Sequence, residues 1–233
     1  MPNSTYFLDR REEWKKRVGK DSWTVFKIMS EFVDGFETLS NIGPCVSIFG
    51  SARTKPDNPY YKLGVEIAEK LGEVGFGIIT GGGPGIMEAG NRGAQNVKAS
   101  SVGLDIDLPF EKGANPYIDQ DKLISFNYFF VRKVMLVKYA QAFVVLPGGF
   151  GTLDELFEAL TLIQTRKIDR FPVVLVGKSY WTGLIDWIKS TMLAQEGNIS
   201  EKDLELFEIL DDSDEVVKHI VNFYASHVLR PNF

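Results

Sequence analysis

The chain predicts an α/β protein: a doubly wound, mostly parallel sheet preceded by a helical extension. Three observations carry this. Short apolar runs, rich in Val, Ile and Phe and without polar alternation, recur at residues 45–49, 76–80, 101–106, 142–146 and 171–176, the pattern of strands buried on both faces. Segments with apolar residues at helical spacing separate them, as in repeated βαβ units. Glycines cluster where an apolar run gives way to a helix, at 50, 81–85 and 148–151, the edge at which such sheets bind ligands.

Composition bounds the rest. The 233 residues, 44% of them hydrophobic, suffice for one large domain with a full core. A net charge of −5 argues against a nucleic-acid footprint and leaves room for a local basic pocket. The one cysteine, Cys45, opens an apolar run and reads as core; it permits no intrachain disulfide and fits a reducing cytoplasm. The two histidines, His219 and His227, fall in the last predicted helix, away in sequence from the glycine loops, which disfavours a zinc set or a histidine-based triad. The first residues hold no apolar signal core, and nothing approaches the ~20 apolar residues of a membrane span. The expectation is a soluble, cytoplasmic protein with no metal, no cofactor, no membrane partner and no nucleic-acid partner.

Taken in order, residues 1–42 read as a helical extension, with Trp23, Phe26, Met29, Val33, Phe36 and Leu39 at helical spacing. That aromatic face fits packing on its own domain or a subunit contact equally well. Residues 43–233 form the second predicted unit. Strand 45–49 leads through Gly50-Ser51-Ala52-Arg53 to a helix over about 60–74, with Ser51 and Arg53 as donors if the loop binds a ligand. Strand 76–80 leads through Gly81-Gly82-Gly83-Pro84-Gly85 to a helix ending near 97. This loop has neither the dinucleotide fingerprint, since residue 86 is Ile86, nor the Lys-Ser/Thr of a Walker A loop. Met87 suits a flat base or the core, the core being commoner. After strand 101–106 a long loop containing Glu111 reaches a short strand over 122–126. Residues 128–139 are helical, and Arg132 stands among bulky apolar residues, where a guanidinium requires an anionic partner. A helix over 181–193, a short turn or helix near 198–200, and a final helix from about 211 to 227 complete the chain.

Residues 147–155, Pro-Gly-Gly-Phe-Gly-Thr-Leu-Asp-Glu, carry the strongest chemical signal. They follow strand 142–146 and open a helix. Gly148, Gly149 and Gly151 allow close backbone approach. The unpaired N–H groups and positive dipole end of that helix make an anion site, phosphate being the usual occupant. Thr152 is placed to cap or to bind a phosphate oxygen, with Glu155 one turn on. Thr152-x-x-Glu155 is also the pattern of a capping box, in which both side chains only satisfy backbone donors.

Gly81-Gly82-Gly83-x-Gly85-x-Met87, Arg132-Lys133 and Pro147-Gly148-Gly149-x-Gly151-Thr152-x-x-Glu155 together resemble the Lonely Guy (LOG) proteins, over roughly residues 45–193. These are cytokinin riboside 5′-monophosphate phosphoribohydrolases with a Rossmann-like fold, often mislabelled lysine decarboxylases. The resemblance implies hydrolysis of the N-glycosidic bond of AMP or an N6-substituted AMP to free base and ribose 5-phosphate. It implies Arg132 and Glu155 as the catalytic pair, Gly149, Gly151 and Thr152 as phosphate cradle, and Lys133, Thr161 and Glu111 as further substrate contacts. Ser51, Gly83, Met87 and Gly148 are expected at the same site. The extension resembles that of longer members, in which assemblies above the dimer occur, so a homo-oligomer is expected. The alternatives are a broad nucleoside 5′-monophosphate nucleosidase serving salvage and a non-catalytic nucleotide-sensing module. A decarboxylase is disfavoured, because no context for a pyridoxal-bearing lysine is evident.

Overall fold

The alternation of apolar runs and periodic segments becomes a seven-stranded sheet with helices on both faces. The structure, a computed structural model, describes residues 10, 11, 14, 21–107 and 113–233. In chain order the main elements are α1 (Asp21–Leu39), β1 (Cys45–Phe49), α2 (Pro59–Glu73), β2 (Gly77–Thr80), α3 (Ile86–Asn96) and β3 (Ser101–Ile106). They continue with β4 (Leu123–Phe126), α4 (Phe129–Lys138), β5 (Ala140–Val145), α5 (Phe150–Gln164), β6 (Val173–Val176), α6 (Lys178–Trp187), β7 (Glu208–Leu210) and α7 (Ser213–Tyr224). The strand order is β4-β3-β2-β1-β5-β6-β7, and every pairing is parallel.

Alternate strand residues feed two cores. Phe49, Ile79, Phe143 and Val145 join Val131 and Met135 of α4, Leu156 and Ala159 of α5, and Trp181 of α6. Val46, Ile48, Ile78 and Val144 join Ile67 and Leu71 of α2, Ile86 of α3, and Val216 and Ile220 of α7. Each fully buried Val or Ile contributes roughly 1.5–3 kcal/mol of apolar burial, which is why the wholly buried β1 and β5 lie at the centre of the sheet. Burial pushes the Cys45 thiol up to about 12, so it acts as a core side chain.

Local signals set the helix starts. The Asn58 side chain accepts from the Tyr60 N–H at 2.8 Å with Pro59 in the first turn. Asp212 caps α7 by accepting from the Asp214 and Glu215 N–H groups. Three features depart from the sequence reading. β7 is an edge strand of three residues with no buried residue, too short to show as an apolar run. The helix expected to 193 ends as α at Trp187 and continues as a π-helical segment, Ile188–Gln195. α7 stops at Tyr224, short of His227.

Candidate active site

The chain crosses from one half of the sheet to the other between β1 and β5, and at the carboxyl ends of such strands a crevice opens. A cavity of about 580 Å³ lies there. Its walls are Phe49 to Arg53 after β1, Gly81 and Met87 after β2, Ile106 of β3, Phe129, Arg132 and Leu136 of α4, and Gly149 to Thr152, Asp154 and Glu155 of α5.

α5 starts one turn earlier than a capping box requires. Its N-cap is Gly149, which provides no side-chain cap, and the first intrahelical bond runs from the Leu153 N–H to the Gly149 carbonyl at 3.1 Å. Thr152 is therefore the third helical residue and Glu155 the sixth, so the capping-box reading of this pair fails. Without a side-chain cap, the first-turn N–H groups keep their donors for a ligand. The loop before them is braced. The Ser51 N–H donates to the Pro147 carbonyl at 3.0 Å, and the Tyr180 hydroxyl donates to the Gly148 carbonyl at 2.5 Å. A Cβ on Gly148 would collide with the Thr152 hydroxyl, so only glycine lets the loop fold against the helix.

Glu155 is 5% exposed. Burial pushes its carboxyl up to about 7, against the opposing pull of the Lys133 and Arg132 charges. Its Oε2 has no hydrogen-bond partner among the described residues. Arg132 reaches the cavity from α4, its guanidinium 5.1 Å from the centre of the Phe129 ring. Lys133, one residue on and thus about 100° around the helix, turns instead to α5 and pairs with Asp154 at 2.8 Å and Glu158 at 3.1 Å. The arrangement sets an uncapped helix end, a guanidinium and a buried carboxyl around one cavity, a set of groups suited to an anion and to acid–base work.

The second glycine loop is occupied internally. The Gly82 N–H donates to the Thr80 hydroxyl at 3.0 Å, and the Gly82 and Gly83 carbonyls accept from the Asn115 amide at 2.9 and 3.1 Å. The Ile86 N–H at the start of α3 donates to the Ser51 carbonyl at 3.1 Å. Gly85, at φ +69°, brings that turn so close to the β1 loop that a Cβ would collide with the Ser51 carbonyl. Behind the loop, buried Asn91 accepts from Thr80 at 2.5 Å and from Asn115 at 2.9 Å, and donates to Ser101 and Val102. Sequence reasoning missed this network. Its one signal was an asparagine among the small residues Ala89, Gly90, Gly93 and Ala94 of α3.

Of the residues expected at the site, Ser51, Met87, Arg132, Gly149, Gly151, Thr152 and Glu155 meet around the cavity. Gly83, Lys133 and Gly148 do not line it, and make the contacts described above instead. Thr161, six residues beyond Glu155 and hence about 120° away around α5, donates to the Phe157 carbonyl and lines a separate shallow groove. Glu111 lies outside the described residues.

Residues 87–220 match the family model described as possible lysine decarboxylase. A cytokinin riboside 5′-monophosphate phosphoribohydrolase of Mycobacterium marinum is 33% identical over 100 residues, covering 43% of this chain and 52% of the relative. One of Mycobacterium tuberculosis is 29% identical over 153 residues, covering 65% and 80%. The chain thus spans about half the length of the first relative, and 44% of the length of two from Arabidopsis thaliana. Among solved structures, the molybdenum cofactor carrier protein of Chlamydomonas reinhardtii superposes with a TM-score of 0.59 at 18% identity, over 79% of this chain and 99% of that one. At that identity it speaks for the fold alone.

Proposed function

Because the chain belongs to the family described as possible lysine decarboxylase, the family that the Lonely Guy motifs mark, we propose that it is a phosphoribohydrolase of nucleoside 5′-monophosphates. Its substrate is AMP or an N6-substituted AMP, and its products are the free base and ribose 5-phosphate. The observation that carries this reading is the carboxyl of Glu155. It is buried, poised near neutrality, and set in the second turn of a helix whose open N-terminus suits a phosphate.

The 5′-phosphate binds the first-turn N–H groups of α5 beside Thr152, which sets C1′ towards Glu155. The C1′–N bond breaks with its electron pair leaving on the base, and positive charge builds on the sugar as in glycoside hydrolysis. Ionised Glu155 stabilises that charge and takes a proton from the water whose oxygen bonds to C1′. The departing base takes up a proton from solvent and Glu155 returns its own to solvent, so that water is added overall across the C1′–N bond. Arg132 holds the phosphoribosyl group from the opposite wall.

A second copy of the chain completes the assembly in this reading. Phe150, 92% exposed at the cavity lip, and Trp23 and Phe26 on α1 present large apolar rings that an interface would cover. A monomer by light scattering at micromolar concentration would remove this part.

The test is ribose 5-phosphate release from AMP, GMP, CMP and isopentenyl-AMP. Preference for the adenine nucleotides supports the reading. Equal turnover of all four replaces it with a broad nucleosidase, and binding without release replaces it with a sensing module.

A further inference from the structure

α4, the helix that brings Arg132 to the cavity, is held at both ends by residues from the two extremities of the described chain. At its amino end the N-cap Tyr128 supplies no side-chain cap. Glu31 of α1 instead binds the N–H groups of the N-cap and of the residue before it. Its Oε1 accepts from the Asn127 N–H at 3.0 Å and the Asn127 side-chain amide at 2.8 Å, and its Oε2 accepts from the Tyr128 N–H at 3.2 Å. A carboxylate there meets the positive end of the helix dipole and makes charge-assisted bonds. Midway, Gly35 lets α1 approach so closely that a Cβ would lie 2.7 Å from the Met135 methyl.

At the carboxyl end the last carbonyls are taken by Asn232. Its side-chain amide donates to Val137 at 2.6 Å and Ala140 at 2.8 Å, and its N–H donates to Lys138 at 2.9 Å. Lys138 in turn lies 5.5 Å from the Phe36 ring of α1 and 4.6 Å from the Phe233 ring. Helix ends carry unsatisfied groups that neighbours must meet. Here both ends are met from outside the βαβ framework, and Arg132 sits only four residues into the helix so held.

We propose that Glu31 and Asn232 are positioning residues for Arg132: the amino-terminal helix and the carboxyl-terminal tail together fix the axial position of α4, and with it the guanidinium on the substrate. The inference rests on the phosphoribohydrolase reading for its catalytic consequence, and on the hydrogen bonds alone for its structural one. Neither residue lines the cavity, so a loss of rate would come through α4. The phosphate cradle on α5 is untouched, so binding of the phosphate-bearing part should persist.

The experiment compares the full-length protein with Glu31→Ala, Glu31→Gln and Asn232→Ala. It measures kcat and KM on AMP together with hydrogen–deuterium exchange across 129–138. The expected result is a tenfold or greater fall in kcat/KM for Glu31→Ala. Faster exchange confined to α4 and only partial recovery of the rate in Glu31→Gln, which keeps one acceptor oxygen and loses the charge, complete the expectation. Asn232→Ala should act in the same direction, and it serves as the folded variant if Glu31→Ala does not fold. Wild-type kcat/KM in both alanine variants overturns the proposal and leaves the enzymatic reading intact. If the wild-type protein releases no ribose 5-phosphate, the enzymatic reading fails instead, and unchanged exchange of α4 in the variants then overturns the clamp.

Discussion

The ammonium of Lys133 sits 2.8 Å from the carboxylate of Asp154, and this pair ties α4, which carries Arg132, to α5, which carries Glu155. The same ammonium reaches Glu158 at 3.1 Å. Asp154 and Glu158 raise the Glu155 carboxyl, and Lys133, paired with both, pulls it down. Activity that needs ionised Glu155 should rise with pH through a midpoint near 7. Lys133→Met removes the nearby positive charge and releases both carboxylates, so the midpoint of the acid limb should move upward. A kcat/KM profile on AMP with an unmoved or lowered midpoint would contradict this coupling.

Stability should carry the same signature with the opposite benefit. The Glu155 carboxyl is raised from its ordinary 4.5 to about 7, so between these values the folded protein holds a proton that the unfolded chain has released. Stability therefore falls as pH rises across this window. Glu155→Gln cannot ionise and escapes the loss. It should be more stable than wild type at pH 8, by up to about 3 kcal/mol, with the difference shrinking towards pH 4.5. Urea unfolding at both pH values reads this directly, and a variant less stable than wild type at pH 8 would show that the ionised carboxyl is welcome in the fold.

Asn91→Ala tests the buried network behind the second glycine loop. The substitution takes the acceptor from the buried Thr80 hydroxyl and a donor from the Ser101 hydroxyl and the Val102 carbonyl, while the Asn115 amide keeps only the Gly82 and Gly83 carbonyls. Unmet buried groups cost about 1–3 kcal/mol each before relaxation, so a total loss of roughly 3 kcal/mol is expected as a lower urea midpoint. A change below about 1 kcal/mol would mean that the loop rearranges freely.

Tyr180→Phe removes the hydroxyl that braces the Gly148 carbonyl. With Tyr180 partly exposed, stability should change by about 1 kcal/mol or less. A several-fold rise in KM for AMP with little change in kcat is expected, because the brace shapes the phosphate cradle and not the carboxyl. Steady-state kinetics on the purified variant decide it, and an unchanged KM would detach this tyrosine from the site.

The central sheet was legible because β1 and β5 are buried on both faces and so carry unbroken apolar runs. β7 was not, since an edge strand of three residues needs no such run. In the site, the glycine loop before α5 was legible by its spacing, but the first helical residue was not. Thr152-x-x-Glu155 matches a capping box letter for letter, and only the backbone shows that the helix already begins at Phe150. The two glycine loops also look equivalent as strings. Their difference comes from Asn115, held by Asn91, which donates to the Gly82 and Gly83 carbonyls, and from Thr80 and Ser51, which accept from the Gly82 and Ile86 N–H groups of one loop. Contacts between residues distant in the chain, such as Glu31 on the start of α4, leave no local pattern to read.

The central claim is that the carboxylate of Glu155 does chemistry at C1′, and Glu155→Gln measures it most directly. Glutamine keeps the volume and the position in the second turn of α5 while removing the charge. Ribose 5-phosphate release from AMP at saturating substrate and pH 8, where the native carboxyl is ionised, should fall by roughly a hundredfold or more for a lost electrostatic stabiliser, in a protein shown by unfolding to be as stable as wild type or more so. A folded Glu155→Gln protein that releases ribose 5-phosphate at the wild-type rate would contradict the account.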